Sequence, residues 1–132
     1  MELMELHRIR ASELASAHRL LAENGWRARI GSIQRFSLLV EASQVADVAV
    51  VEGQIVGFVR AITDGQSNGY LSMLVVAPTH RGKGIGRRLV ERAMGTNTSV
   101  TWVLRAGREG APEFFARLGF ERSSIAMERR RA

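Results

Sequence analysis

The residues best equipped for chemistry crowd into one junction, Leu74-Val75-Val76-Ala77-Pro78-Thr79-His80 followed by Arg81-Gly82-Lys83-Gly84-Ile85-Gly86-Arg87. An apolar strand ends at Pro78, and a turn with glycines at 82, 84 and 86 leads into an amphipathic helix. Alternating glycines leave backbone N–H groups uncovered, and a helix start adds its own unpaired N–H groups and positive dipole end. Such a nest suits a phosphate or diphosphate, with Arg81, Lys83 and Arg87 available to neutralise it. Spacing excludes two familiar phosphate loops. A Walker loop needs Ser or Thr after its lysine, and Lys83 is followed by Gly84. A dinucleotide fingerprint begun at Gly84 needs a small residue where Leu89 stands.

The elements that must position this junction follow from periodicity. Leu6 to Arg10 reads as a first strand, and Ser12 as the cap of a helix with Leu14, Ala17, Leu20 and Leu21 on one face, closed by Gly25. Ser32 opens a second helix carrying Ile33, Phe36, Leu39 and Val40. Val45 to Val51 and Gln54 to Ile62 form a hairpin about Glu52-Gly53. A polar loop, Thr63 to Gly69, leads to the near-continuous apolar strand Tyr70 to Val76, which suits a sheet centre covered on both faces. The helix Gly84 to Met94 ends at Gly95, and Val100 to Arg105 is another strand. Pro112 starts a helix through Leu118, and Phe120 to Arg129 is expected to be extended, as one strand or two short ones. With no repeat or linker, residues 1–132 read as one α/β (α+β) domain with a mixed sheet.

Composition narrows the class. A chain of 132 residues, 45% apolar and 24% charged with only two prolines, has the make-up of an ordinary globule. With no cysteine, thiol catalysis, disulfides and cysteine-ligated zinc are excluded. His7, His18 and His80 lack a shared ligand spacing, so no metal site is expected. No apolar run approaches the roughly 20 residues of a membrane span, and Met1 to Leu6 has no signal-peptide character. The expected location is the cytoplasm. The net charge of +6 is uneven: residues 1–80 hold seven bases against eight acids, whereas residues 81–132 hold twelve against five. A localised excess implies a localised anion. It argues against nucleic acid as partner, although a basic module binding nucleic-acid phosphates in the glycine nest is a competing reading. Residues 1–80, at net −1, give no charge-based bias toward a polyanionic acceptor.

Arg81, Gly84 and Gly86 fill the pattern Q/R-x-x-G-x-G/A, and Ala111-Pro112-Glu113-Phe114-Phe115-Ala116-Arg117-Leu118-Gly119-Phe120 is similar to A-x-x-F-Y-x-x-L-G-F. In these runs, in this order, the chain resembles the GNAT superfamily of N-acetyltransferases, and the element order matches across almost its whole length. The resemblance implies a mostly antiparallel mixed sheet flanked by about four helices, with a V-shaped cofactor cleft where the central strand splays from its neighbour at a bulge and leaves main-chain groups free. It implies acetyl-CoA as co-substrate without a metal, and a small-molecule primary amine as acceptor, acetylated by direct attack in a ternary complex. By position it assigns the diphosphate to Arg81, Gly82, Lys83, Gly84, Ile85 and Gly86 with Arg87 adjacent, and the pantetheine arm to main-chain groups of Leu74 and Val76. The Leu74 N–H would polarise the thioester carbonyl. Relatives often pair through sheet edges, which makes a homodimer an expectation.

Two positions depart from the family in ways that bear on mechanism. The tyrosine that usually serves as general acid is Phe115, which can pack against the pantetheine arm but donates no proton. Where some branches carry a glutamate base, eleven residues before Arg81, stands Tyr70, the only tyrosine. Tyr70 reads either as a partly buried aromatic or as a proton relay near the acceptor. Asp64 and Glu52 are weaker candidates for the base. Phe115 also motivates another reading, a catalytically degenerate CoA-binding sensor or partner subunit. Arg108 stands where many relatives carry an asparagine that contacts CoA. Trp26, Arg27 and Arg29 fall where relatives form an acceptor wall; an aromatic with two cations there would favour an acceptor bearing a carboxylate or phosphate, and a packed tryptophan with surface arginines is the plainer reading.

Overall fold

A computed structural model describes residues 3–132. Five strands form one sheet in the order β1-β2-β3-β4-β5: Met4–Arg8, Val45–Val51, Gln54–Thr63, Asn68–Val76 and Thr101–Leu104. Each neighbouring pair is antiparallel except β4 and β5, which run parallel. The β2–β3 hairpin turns at Glu52 and Gly53, whose φ angles of 51° and 76° are the pair of positive values that a two-residue type I′ turn requires. The polar loop between β3 and β4 is held by the Asp64 carboxylate, which accepts from the N–H groups of Gln66, Ser67 and Asn68 at 2.9, 2.8 and 3.2 Å. Those bonds hold its pKa below the usual carboxylate value.

Helices cover both faces. On one lie α1 (Leu14–Leu21), α2 (Arg27–Ile30) and α3 (Ile33–Glu41), which bury Ala17, Leu20, Leu21, Ile30, Phe36 and Val40 against Val48 and Phe58. On the other, α4 (Ile85–Met94) and α5 (Ala111–Ala116) bury Ile85, Leu89, Val90 and Phe115 against Val56, Val59 and Leu71. Ser32 caps α3 as expected, its hydroxyl accepting from the Arg35 N–H at 3.2 Å. Ser12 does not cap α1. The chain enters through a 3₁₀ turn at Ala11–Glu13, where the Glu13 carboxylate reaches back to the Arg10 N–H at 2.9 Å and also meets His7. Past α1 the helix widens and breaks at Asn24 and Gly25, the latter at φ 92°, before α2 resumes.

The final segment departs from expectation. Phe120 to Arg129 forms neither one strand nor two. The Ser123 hydroxyl accepts from the N–H groups of Ile125 and Ala126 at 3.1 and 2.8 Å, a local turn that takes this backbone out of reach of a ladder. Ile125 and Met127 remain 89% and 98% exposed. The segment is held beside β5 by Glu128, which receives Arg105 Nε at 2.7 Å.

Helix α4 sits close to the sheet because Gly57 of β3 lacks a side chain. A β-carbon there would lie 2.9 Å from Leu89 Cδ1, 3.3 Å from Ala49 Cβ and 3.4 Å from Ile85 Cγ2. Gly57→Val should therefore destabilise the protein by about 1–3 kcal/mol through overpacking. The check is a denaturant titration, in which the midpoint falls while the slope is retained.

Candidate active site

The central strand carries one residue too many. Phe58 pairs with Val75 but Arg60 pairs with Ser72, so two steps along β3 match three along β4. The extra residue is accommodated by Met73, at φ 54°. Across this bulge the strand changes faces. Leu71 packs toward α4 and α5, yet Met73 and Val75 join the core beneath α1 and α3, leaving Leu74 and Val76 on the α4 side.

The pairing with β5 ends at the same level. Asn68 to Leu71 pair with Thr101 to Leu104, with the Trp102 ring so close over Gly69 that a β-carbon would lie 2.5 Å from it. Beyond Leu71 the outer edge of β4 has no strand beside it. The Ala77 N–H donates inward to the Val56 carbonyl at 2.8 Å, so by alternation the main-chain groups of Val76 point outward to the open edge. Leu74 has no register partner on β3. A cleft of about 1270 Å³ follows this edge, lined by Tyr70, Ser72, Leu74, Val76, the glycine turn, Phe114 and Phe115 among others.

At its far end lies the junction singled out in the sequence. Pro78–His80 form one 3₁₀ turn, and Gly82 and Gly84 take φ angles of 79° and 82° that favour glycine. Gly86 is buried at the helix start, where an added β-carbon would meet the Phe114 ring at 3.2 Å. Among the described residues the N–H groups of Gly84, Ile85, Gly86 and Arg87 donate to no protein acceptor, whereas Arg88 makes the first helical bond, to the Gly84 carbonyl at 3.1 Å. These four unpaired donors open the cleft side of α4 to an anion. Lys83 sits exposed in the turn, and Arg87 leans along the helix to Glu91 at 3.3 Å.

Arg81 turns away from the nest. Its Nε donates to the Val76 carbonyl at 2.9 Å, and its terminal nitrogen donates to Asn24 Oδ1 at 3.1 Å. Asn24, at the break after α1, donates in turn to the Leu20 carbonyl at 2.8 Å and accepts Arg108 on its own carbonyl at 2.7 Å. Arg108 lies 4.0 Å over the Trp26 ring. Burial pushes the pKa of its guanidinium down. Trp26 Nε1 is buried without a partner. One asparagine thus joins three segments around the cleft, and nothing in the sequence pattern marked it.

The other expected residues are placed unequally. Tyr70 lines the cleft half-buried, and its hydroxyl bonds to no group among the described residues. Phe115 is 8% exposed, edge-on to Phe114 and Phe120, so the position of the usual acid lies inside an aromatic cluster. Glu52 and Asp64 sit in hairpin turns and do not line the cleft. Arg29 lines it and Arg27 does not. Arg35, Arg60 and Ser72 also line it, and sequence reasoning missed them. The available signal was a charged residue, Arg60, inside the apolar run of β3. Among the described residues no group of His, Asp or Glu could hold a metal, and no helix is long and apolar enough to cross a membrane.

The profile of the Acetyltransferase (GNAT) domain matches residues 42–122. The chain belongs to the GNAT family and is by class an acyl-CoA-dependent N-acetyltransferase. Solved structures agree in fold. A GNAT-family protein of Xanthomonas campestris pv. campestris superposes with a TM-score of 0.82 at 23% identity, covering 98% of this chain and 94% of its own. Glucosamine-6-phosphate N-acetyltransferase of Arabidopsis thaliana gives 0.70 at 19% identity, covering 98% and 99%. The aminoglycoside N-acetyltransferase AAC(6')-Iy, in complex with CoA, gives 0.76 at 17% identity, covering 99% and 96%. No curated protein matches the chain in sequence.

Asn24→Ala removes the acceptor for Arg81 and the bond to Leu20. It should cost about 1 kcal/mol, the net scale of a typical intramolecular hydrogen bond. Amide hydrogen exchange should accelerate in α1 and at the 81–84 turn, with β1–β3 unchanged.

Proposed function

We propose that residues 1–132 act as one acetyltransferase domain that moves an acetyl group from acetyl-CoA to the primary amine of a small molecule, both bound at once. The observation that carries this reading is continuity: the open edge of β4 at Leu74 and Val76 leads along one cleft into the four unpaired N–H groups at the start of α4. That edge and nest fit an extended acyl carrier ending in a diphosphate. Acetyl-CoA supplies an activated thioester carbonyl. In this reading the Leu74 N–H holds the carbonyl oxygen, the Val76 N–H steers the arm, and Gly82 to Arg87 hold the diphosphate with help from Lys83. Arg81 secures the turn through the Val76 carbonyl rather than reaching for phosphate.

The remaining work is alignment of the amine and acceptance of its proton. Phe115 offers no hydroxyl. The hydroxyl groups that do line the cleft are those of Tyr70 and Ser72, which pair with Ile62 and Arg60 on the same side of the bulge, in the regular stretch that precedes it along β4. We assign proton relay to Tyr70, whose hydroxyl is unengaged. The named activities of structural neighbours, on an aminoglycoside and on glucosamine-6-phosphate, support a small-molecule acceptor without selecting its charge. The buried Phe115 keeps one alternative in play, a CoA-binding sensor without turnover.

Thermal-shift titration tests the cofactor half. Micromolar acetyl-CoA should raise the melting temperature, and Gly84→Val should abolish the shift, because its φ of 82° excludes a branched side chain. Thiol release with a panel of amines then separates enzyme from sensor. Tyr70→Phe should lower kcat roughly tenfold to a hundredfold and flatten its pH profile. Unchanged turnover across pH removes Tyr70 from the mechanism.

A further inference from the structure

The acceptor end of the cleft is built from cations. Arg60 faces Ser72 across β3 and β4, and Ile62 faces Tyr70, so these four side chains share the sheet face covered by α3. From α3, Arg35 and Leu39, four residues apart and hence on one helix face, close over them, with Arg29 of α2 beside. Arg29, Arg35 and Arg60 have no carboxylate partner among the described residues. The acid that lines the cleft, Glu109, belongs to the loop between β5 and α5.

Arg60 is the most constrained of the three. Its Nε donates to Ser43 Oγ at 2.7 Å, and Ser43 Oγ donates on to the Leu39 carbonyl at 2.6 Å, which fixes the guanidinium while both terminal nitrogens stay without an acceptor among the described residues. Burial lowers its pKa, opposed only in part by Tyr70. A half-buried cation held in place by a hydroxyl, with its bidentate fork open to a cleft, is arranged for a carboxylate or phosphate. The diphosphate nest cannot supply that anion. Ser72 lies about 13 Å along the strand from Val76, and the nest is farther still.

We propose that the acceptor carries an anionic group, carboxylate or phosphate, besides its amine, and that Arg60 and Arg35 grip it with Arg29 at the rim. This rests on the acetyltransferase reading above and sharpens its acceptor. Cations beside the entering amine also disfavour its ammonium form, which eases deprotonation where no carboxylate base is at hand.

The test measures thiol release with ω-amino carboxylates and aminoalkyl phosphates against n-alkylamines and α,ω-diamines of matched length. The best anionic acceptor should exceed its alkylamine counterpart in kcat/KM by roughly tenfold or more, and the carboxylate and phosphate arms tell which anion fits. Arg60→Met and Arg35→Met should each lower that ratio about tenfold, with Arg60→Lys retaining part of it. Arg35 is exposed, so its variant keeps the test valid if Arg60→Met fails to fold. Equal or better use of alkylamines or diamines, or a ratio unchanged in both variants, overturns the proposal. Acetyl-CoA stabilisation is measured in parallel. If it is present while no acceptor reacts, the anionic-acceptor proposal falls and cofactor binding stands; if it is absent, both readings fall.

Discussion

One extra residue in β4 governs the rest of the site. Without the bulge, alternation would keep Leu71, Met73 and Val75 on one face and carry the strand straight alongside β5. With it, Met73 and Val75 enter the core under α1 and α3, and β4 leaves its neighbour after Leu71. Met73 adopts a left-handed conformation at φ 54°, a cost of about 1–2 kcal/mol for a residue with a β-carbon. Its side chain is 6% exposed, and burying a methionine contributes about 1.5–3 kcal/mol. Core packing therefore offsets the strain, and the cleft is the geometric consequence.

The glycine turn depends on that bulge and on packing behind it. The outward-pointing Val76 carbonyl is free because β4 has no outer neighbour there, and Arg81 uses that carbonyl to fix the start of the turn. Gly57 lets Leu89 and Ile85 settle onto β3, which sets the depth of α4 and so the direction of its unpaired N–H groups. Asn24 then ties the turn to the break after α1. Strand, turn and helix are thus coupled through single contacts rather than through one large interface.

Much of this was legible because it is written in short-range chemistry. Glycines at 82, 84 and 86, the Glu52-Gly53 hairpin and the Ser32 cap each act within a few residues, and the structure has them where periodicity placed them. The bulge came only with the family resemblance and not from the residues themselves: Ser72-Met73-Leu74 contains no glycine, and its cause is competition between two cores on opposite faces. Phe120 to Arg129 failed in the other direction. Its composition suits a strand, but the Ser123 turn intervenes and Ile125 and Met127 find no surface to cover. Asn24 was invisible because its bonds reach Arg81 and Arg108, far along the chain.

Charge sums miss placement for the same reason. Residues 1–80 sum to net −1, which by itself gives no bias toward a polyanionic acceptor. Folding sorts those charges. Glu13 is consumed by His7 and the Arg10 N–H, Asp47 by Arg92 at 2.9 Å, and Asp64 by its own turn, while Arg29, Arg35 and Arg60 converge on the cleft. A near-neutral half of the chain thereby builds a cationic wall, because acids that serve structure are removed from the field a ligand meets. The basic half does the reverse: Arg87, Arg92, Arg105 and Arg130 are each paired with a carboxylate, so its excess overstates what it offers to an anion. What remains at the turn is chiefly backbone, four N–H groups whose partial charges no sequence sum counts.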